Sequence, residues 1–179
     1  MKSTRPIVLI GMMGSGKTSI GKLVAQELNF TFIDTDFEIE KKLNLSVKEI
    51  FENYGETLFR KKEFDVFKLF GNRNNIIISS GGGSFCNPNT YDLIKKNYLS
   101  VWLDVNEEIL FNRLKRNQKK RPLLYGLKEN ELRNKVKNLI SERKDCYNKA
   151  DIKVELSDQK IKESFYVTYS KIISYISKN

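Results

Sequence analysis

Short apolar runs alternate with longer amphipathic stretches from one end of the chain to the other. That alternation predicts β-α-β units around a parallel sheet, hence an α/β fold. Strands are expected over 7–10, 31–34, 76–79, 101–104 and 152–155. Helices are expected over 17–28, 37–43, 47–54, 57–70, 89–97, 107–117, 129–149 and 159–177. Ser46-Val47-Lys48-Glu49 has the form of a capping box and marks one helix start. In the last helix Ile161, Phe165, Tyr169, Ile172 and Ile176 recur at spacings of three and four, which predicts one buried face. No repeat, low-complexity segment or linker interrupts the pattern, so residues 1–179 are expected to form a single domain. Two segments, 44–71 and 116–128, read as inserts.

The most specific chemistry follows the first strand. Gly11-Met12-Met13-Gly14-Ser15-Gly16-Lys17-Thr18 lies between an apolar run and a helical segment that continues through Ser19, the setting of a phosphate-binding loop. Its glycines let backbone N–H groups converge on phosphate oxygens; Lys17 adds a cation and Thr18 a hydroxyl for magnesium. A nucleoside triphosphate is the expected ligand.

Composition narrows the rest. At 179 residues the chain is long enough to bury a substantial core. Hydrophobic residues make up 40%, and no apolar run approaches the roughly 20 residues that span a bilayer. The N-terminal segment Met1 to Pro6 leaves no room for a signal peptide, so a cytoplasmic protein is expected. Two cysteines, Cys86 and Cys146, are far apart in sequence and suggest neither a disulfide framework nor a zinc site. With no histidine, any general base is a carboxylate or a lysine. The net charge of +10 raises the alternative of a nucleic-acid-binding ATPase, but lysines interleaved with Glu and Asp read more simply as solvated faces. No exposed apolar stripe demands a partner, so a monomer is expected.

Several further residues are candidates for chemistry. Asp34 and Asp36, two apart at the end of a strand, can face one site; alternatively Asp36 caps the helix starting at Phe37. Behind a phosphate loop the first reading is favoured, because ligands of open α/β sheets collect at the carboxyl ends of strands. Arg60 and Glu63 are spaced to pair on a helix, either as a surface ion pair or as an oriented fork for a carboxylate. Gly81-Gly82-Gly83 suits the close approach of a small hydroxylated ligand, or a plain turn. The basic run from Arg113 to Arg121 ends in Arg121-Pro122-Leu123-Leu124. It reads as a lid that brings Arg121 onto a transferring phosphoryl group, or as a nucleic-acid arm. Arg143 and Tyr147 share a helix face, by default an exposed one.

Taken together, the Gly11 to Thr18 loop, Asp34-x-Asp36, Gly55-Glu56-x-x-Phe59-Arg60-x-x-Glu63, Gly81-Gly82-Gly83, Arg121-Pro122-Leu123-Leu124 and Arg143-x-x-x-Tyr147 resemble the shikimate kinases in order and spacing over nearly the whole chain. The resemblance implies a P-loop nucleoside-monophosphate-kinase-like fold: a five-stranded parallel sheet flanked by helices, a substrate-binding insert near 36–63 and a lid near 115–128. It implies ATP-dependent phosphorylation of the shikimate 3-hydroxyl on the route to chorismate and the aromatic amino acids, with ATP and Mg2+ as co-substrate and metal. Lys17, with the loop at Gly14, Ser15, Gly16 and Ser19, would hold the phosphates, and Thr18 and Asp34 the magnesium. Asp36 would bind the acceptor hydroxyl and act as or assist the base. Arg60 and Arg143 would bind the carboxylate, Gly81, Gly82 and Gly83 would line the ring, and Arg121 would bridge phosphate and acceptor. Arg113 would stack on adenine; because Arg113 to Arg121 is one residue longer than the family pattern, Arg116 is the alternative. The nearest competing function is another small-molecule kinase of this fold, such as a gluconate or nucleoside-monophosphate kinase. The Arg60, Gly81 to Gly83 and Arg143 set favours a carboxylated, polyhydroxylated ring.

Overall fold

Five parallel strands form one sheet in the order β2-β3-β1-β4-β5: β1 (Ile7–Ile10), β2 (Thr31–Asp34), β3 (Ile76–Ser79), β4 (Leu99–Val105) and β5 (Ile152–Leu156). The computed structural model describes residues 5–118 and 121–178. Lys119 and Lys120 of the basic run, and Met1 to Thr4, lie outside the described residues. Strands β1 and β3 are buried at every position, as expected of inner strands covered on both faces. Edge strand β5 instead alternates, with Ile152, Val154 and Leu156 buried and Lys153 and Glu155 exposed. Connections after β1 and β3 run to opposite sides of the sheet: β1 leads through α1 (Lys17–Leu28) to β2, whereas β3 leads through α4 (Pro88–Asn97) to β4. The carboxyl ends of these neighbours therefore flank a topological switch point, where a crevice opens.

The helices follow the sequence pattern with informative exceptions. Asp34 caps α2 (Thr35–Leu43) by accepting from the backbone N–H groups of Asp36 and Phe37. Asp36 is thus in the first helical turn, neither extended nor the cap. Helix α3 (Val47–Phe70) starts at the expected capping box, with Ser46 N–H donating to Glu49 at 2.8 Å. It joins the two segments expected over 47–54 and 57–70 across a kink at Gly55, whose φ of 76° and ψ of 173° suit glycine alone. Helix α5 (Glu107–Arg116) leads to the lid segment, where Pro122–Leu124 forms a short 3-10 helix; α6 (Glu129–Tyr147) and α7 (Ile161–Lys178) complete the layers. On α7 the buried set is Ser164, Phe165, Thr168 and Ile172. Ile161 lies outside it, 45% exposed and lining a cavity beside the phosphate loop.

Edge strand β5 is anchored by a side chain rather than by the ladder alone. Asp151 accepts from Ser100 N–H at 2.8 Å and from the Ser100 hydroxyl at 2.6 Å, and pairs with Lys95. Partial burial pushes its carboxyl up, but the Lys95 and Ser100 contacts outweigh that and hold it below the usual range. Its stabilisation is therefore present above the unfolded pKa of 3.8 and lost on acidification. Asp151→Ala should destabilise the fold by about 1–3 kcal/mol at pH 7 in urea titrations, with the gap from wild type closing below pH ~4. An equal cost at both pH values would rule out the ionised-anchor account.

Candidate active site

The loop from Gly11 to Gly16 fills the crevice at the end of β1. Lys17 Nζ, buried, donates to the carbonyls of Gly11 and Met12 at 3.0 and 2.9 Å. Burial and the nearby Arg121 lower its pKa to about 8, against the opposing pull of Asp36 and Asp34. The exposed Thr18 hydroxyl donates to Asp34 at 2.8 Å and lies 3.2 Å from the Ser79 hydroxyl. Residues from α1, β2 and β3 thus meet at one oxygen-rich point. Ser79 carried no motif; only its place at the end of β3 could have signalled it.

Around the loop lies a cavity of about 470 Å³ lined by Gly14, Ser15, Gly16, Lys17, Thr18, Ser19, Asp34 and Arg113 among others. Arg113 donates to the Gly14 carbonyl at 3.3 Å and faces Asp158 at 3.8 Å. Arg116 is exposed at the end of α5 and is absent from the described lining of that cavity. Gln159 and Ile161, from the chain after β5, complete the far wall.

A second cavity, of about 190 Å³, adjoins it between α2, α3, the glycine loop and α6. Arg60, Gly83, Arg143 and Leu123 line it, and the two cavities share Met13, Asp36, Gly81, Gly82 and Arg121. The shared wall brings together a carboxylate, an arginine from the lid and backbone from the glycine loop. Burial, with the like charges of Glu63 and Asp34, raises the Asp36 pKa to about 6, despite Lys17 and Arg121.

The Arg60–Glu63 pair, expected either as a surface ion pair or as an oriented fork for a carboxylate, is not on the surface: Arg60 is largely covered and held by two carboxylates of its own helix. Glu63 is fully buried and pairs with Arg60 Nη1, while Glu56 takes Arg60 Nε and Nη2 at 3.0 and 2.7 Å. Burial lowers the guanidinium pKa, but the two carboxylates outweigh it and the net shift is upward. The glycine loop is dictated by this pair: a Cβ on Gly81 would come within 2.1 Å of Glu63 Oε1, and one on Gly83 within 2.5 Å of Arg60 Nη2. Any side chain there would push the Glu63 carboxylate or the Arg60 guanidinium out of its present place, a reason for glycine that the sequence alone did not reveal.

Arg143 and Tyr147 are likewise buried, contrary to the exposed default. Tyr147 donates its hydroxyl to the Gly82 carbonyl, its ring stands 5.7 Å from that of Trp102, and both residues reach the Met12 sulfur at 3.9 Å. The lid segment is pinned by Gln118, whose amide donates at 2.7 Å to the carbonyls of Leu124 and Leu127. Lys48 of α3 sits 4.4 Å above the Tyr125 ring. The two cysteines, distant in sequence, become neighbours where α6 packs on the Ser84–Cys86 turn; both thiols are free, and burial raises their pKa values. Among the described residues no group of three or more His, Cys, Asp or Glu side chains forms a metal cage.

A family model described as shikimate kinase matches residues 13–176. The chain is 41% identical to a shikimate kinase of Aquifex aeolicus over 83% of its length and 85% of that relative. With one of Sulfurihydrogenibium the figures are 42%, 83% and 86%. Among solved structures, a shikimate kinase from Acinetobacter baumannii in complex with shikimate superposes with a TM-score of 0.88 at 30% identity, covering 98% of this chain and 94% of that one. A gluconokinase from Sinorhizobium meliloti reaches a TM-score of 0.60 at 15% identity, covering 99% and 97%, a likeness of fold alone.

The raised Asp36 pKa has a consequence for stability. The folded protein holds this proton more tightly than the unfolded chain, so ionisation costs stability as pH rises from 3.8 through about 6. Asp36→Asn should therefore be the more stable protein at pH 8, by about 3 kcal/mol in ligand-free denaturant titrations, with the difference fading near pH 4. A variant no more stable than wild type at pH 8 would show that the carboxylate is not strained by its surroundings.

Proposed function

The chain belongs to the shikimate kinase family, and from that premise we propose how its residues divide the transfer of a phosphoryl group from ATP to shikimate. The reaction is the ATP-dependent phosphorylation of the shikimate 3-hydroxyl, giving shikimate 3-phosphate and ADP. The observation that carries the division of labour is the wall shared by the two cavities, with Asp36 and Arg121 on it. ATP occupies the larger cavity and shikimate the smaller, so the acceptor hydroxyl and the terminal phosphate meet at that wall.

On the donor side, Lys17 and the amides of Gly14, Ser15 and Gly16, with Ser19, hold the phosphates, and Arg113 lies against the adenine. Lys17 is buried but retains a pKa of about 8, so it is mainly cationic at neutral pH. Thr18 and Asp34 offer hard oxygen donors in a site with no self-sufficient metal cage, a set that fits Mg2+, which keeps waters and substrate phosphates around it. Bound there, Mg2+ would neutralise charge on the β- and γ-phosphates.

On the acceptor side, Arg60 and Arg143 bind the shikimate carboxylate, and Gly81, Gly82 and Gly83 line its ring. Asp36, ionised above about pH 6, orients the 3-hydroxyl and accepts its proton as the oxygen attacks phosphorus. Arg121, reaching both cavities from the lid, stabilises charge on the phosphoryl group in transit, the largest contribution to phosphoryl transfer. A lid over both cavities excludes water that would otherwise accept the phosphoryl group. Among the described residues no helix is long and apolar enough to cross a membrane. A monomeric cytoplasmic enzyme acting on small molecules, without nucleic acid, is the reading that accords with this site.

Coupled ADP release should rise with shikimate and stay at background with gluconate or nucleoside monophosphates; no stimulation by shikimate would sink the proposal. Arg60→Ala should raise KM for shikimate about 10-fold or more while KM for ATP changes by less than about 3-fold. Equal effects on both would remove Arg60 from the carboxylate clamp. Asp36→Asn should lower kcat by about 10²–10⁴-fold and abolish the acid limb of the kcat profile near pH 6. Full turnover in a folded Asp36→Asn protein would take Asp36 out of catalysis.

A further inference from the structure

Arg60 stands between two carboxylates of its own helix, and they differ in kind. Glu56 is about half exposed and holds the Nε–Nη2 edge from the solvent side. Glu63 is completely buried and holds Nη1 from the inside. A buried carboxylate persists as an anion only if enough donors face it. Besides Arg60, the side-chain donor on Glu63 is the hydroxyl of Ser84, itself fully buried at the start of the 3-10 turn after the glycine loop. That hydroxyl has one hydrogen and two acceptors within reach, Glu63 Oε1 and the Gly81 carbonyl at 2.9 Å. Facing the ionised carboxylate, it donates to Glu63, where the charge makes the bond stronger.

We propose that Ser84 is a positioning residue for the acceptor site: by donating to Glu63 it keeps that carboxylate anionic and in place, so that Arg60 is held from the inside at Nη1 as well as by Glu56 from the solvent side and stays fixed at the acceptor cavity. The inference rests on the reading that Arg60 binds the shikimate carboxylate. Ser84 is absent from the described lining of both cavities, so any effect it has on shikimate passes through the groups it touches, Glu63 and the Gly81 carbonyl, and the Glu63→Gln background separates the two. Burial already pushes the Glu63 carboxyl up, opposed first by Arg60 and then by Ser84. Glu56 on α3 and Asp36 on α2 add like charge to this surrounding and favour protonation further. Without the hydroxyl, Glu63 takes up a proton more readily and releases its hold on Arg60. The glycine at 81 belongs to the same device, since any Cβ there would displace Glu63 from Ser84.

The test compares Ser84→Ala, Ser84→Cys, Glu63→Gln, Arg60→Ala and the Ser84→Ala/Glu63→Gln double variant by steady-state kinetics, with thermal melts to confirm folding. Ser84→Ala should raise KM for shikimate about 5–20-fold, with KM for ATP within about 2-fold and kcat within about 3-fold. Ser84→Cys, a near-isosteric weak donor, should fall between wild type and alanine. In the Glu63→Gln background, Ser84→Ala should add less than about 2-fold, because the group it serves is already neutral. An unchanged shikimate KM in a folded Ser84→Ala protein, or additive effects in the double variant, would overturn the role of Ser84 while leaving the Arg60 clamp intact. If Arg60→Ala itself spares the shikimate KM, the clamp fails, and the positioning role falls with it.

Discussion

Strand β1 has neighbours on both edges and buried side chains at every position, so the chain leaving Ile10 has one way out, into the crevice above the sheet. The loop, the cap on α2 and the glycine loop all inherit their places from that enclosure. Asp34 pairs with Ser79 across β2 and β3, and Leu9 pairs with Ser79 across β1 and β3. Three strand ends are therefore held in one register; the polar ends of β2 and β3, Asp34 and Ser79, meet Thr18 at the start of α1 within hydrogen-bonding distance. The ladder of backbone hydrogen bonds fixes Asp34 and Ser79 side by side, and helix α1 brings Thr18 to them.

Around that frame the site concentrates charges that a stable core would avoid. Lys17 is lowered to about 8 and Asp36 raised to about 6, each moved toward neutrality chiefly by burial. Both shifts record an electrostatic cost in the folded state, the kind of perturbation that concentrates at functional sites. Glu63 and Arg60 resolve the same problem by pairing, which places a fixed cation at the edge of the smaller cavity. The phosphate loop and the glycine loop are tied together through few atoms: Met12 touches Arg143 and Tyr147, and Tyr147 holds the Gly82 carbonyl.

Legibility in the sequence varied with the range of the interaction. The Ser46 capping box, the strand runs and the loop from Gly11 to Thr18 all depend on neighbours within a few residues, and they sit where the pattern placed them. The extent of β4 did not: Leu99 and Ser100 join the strand because β1 pairs with them. Ile161 matched the apolar spacing of its helix yet lies exposed beside the larger cavity, because spacing identifies a face but not what covers it. Arg143 and Tyr147 looked like a surface pair for the same reason.

What the one-dimensional pattern determined was local and chemical: a parallel α/β architecture, a phosphate loop, and a set of carboxylates, arginines and glycines able to serve a kinase. Tertiary structure decided which of them face one another. Glu63 is buried and Glu56 exposed although both contact Arg60, and Gly81 and Gly83 are needed because two long side chains from α3 press against them. Those distinctions rest on packing between segments about twenty residues apart, and hydrophobic periodicity carries no information about which polar atoms such packing will bring into contact.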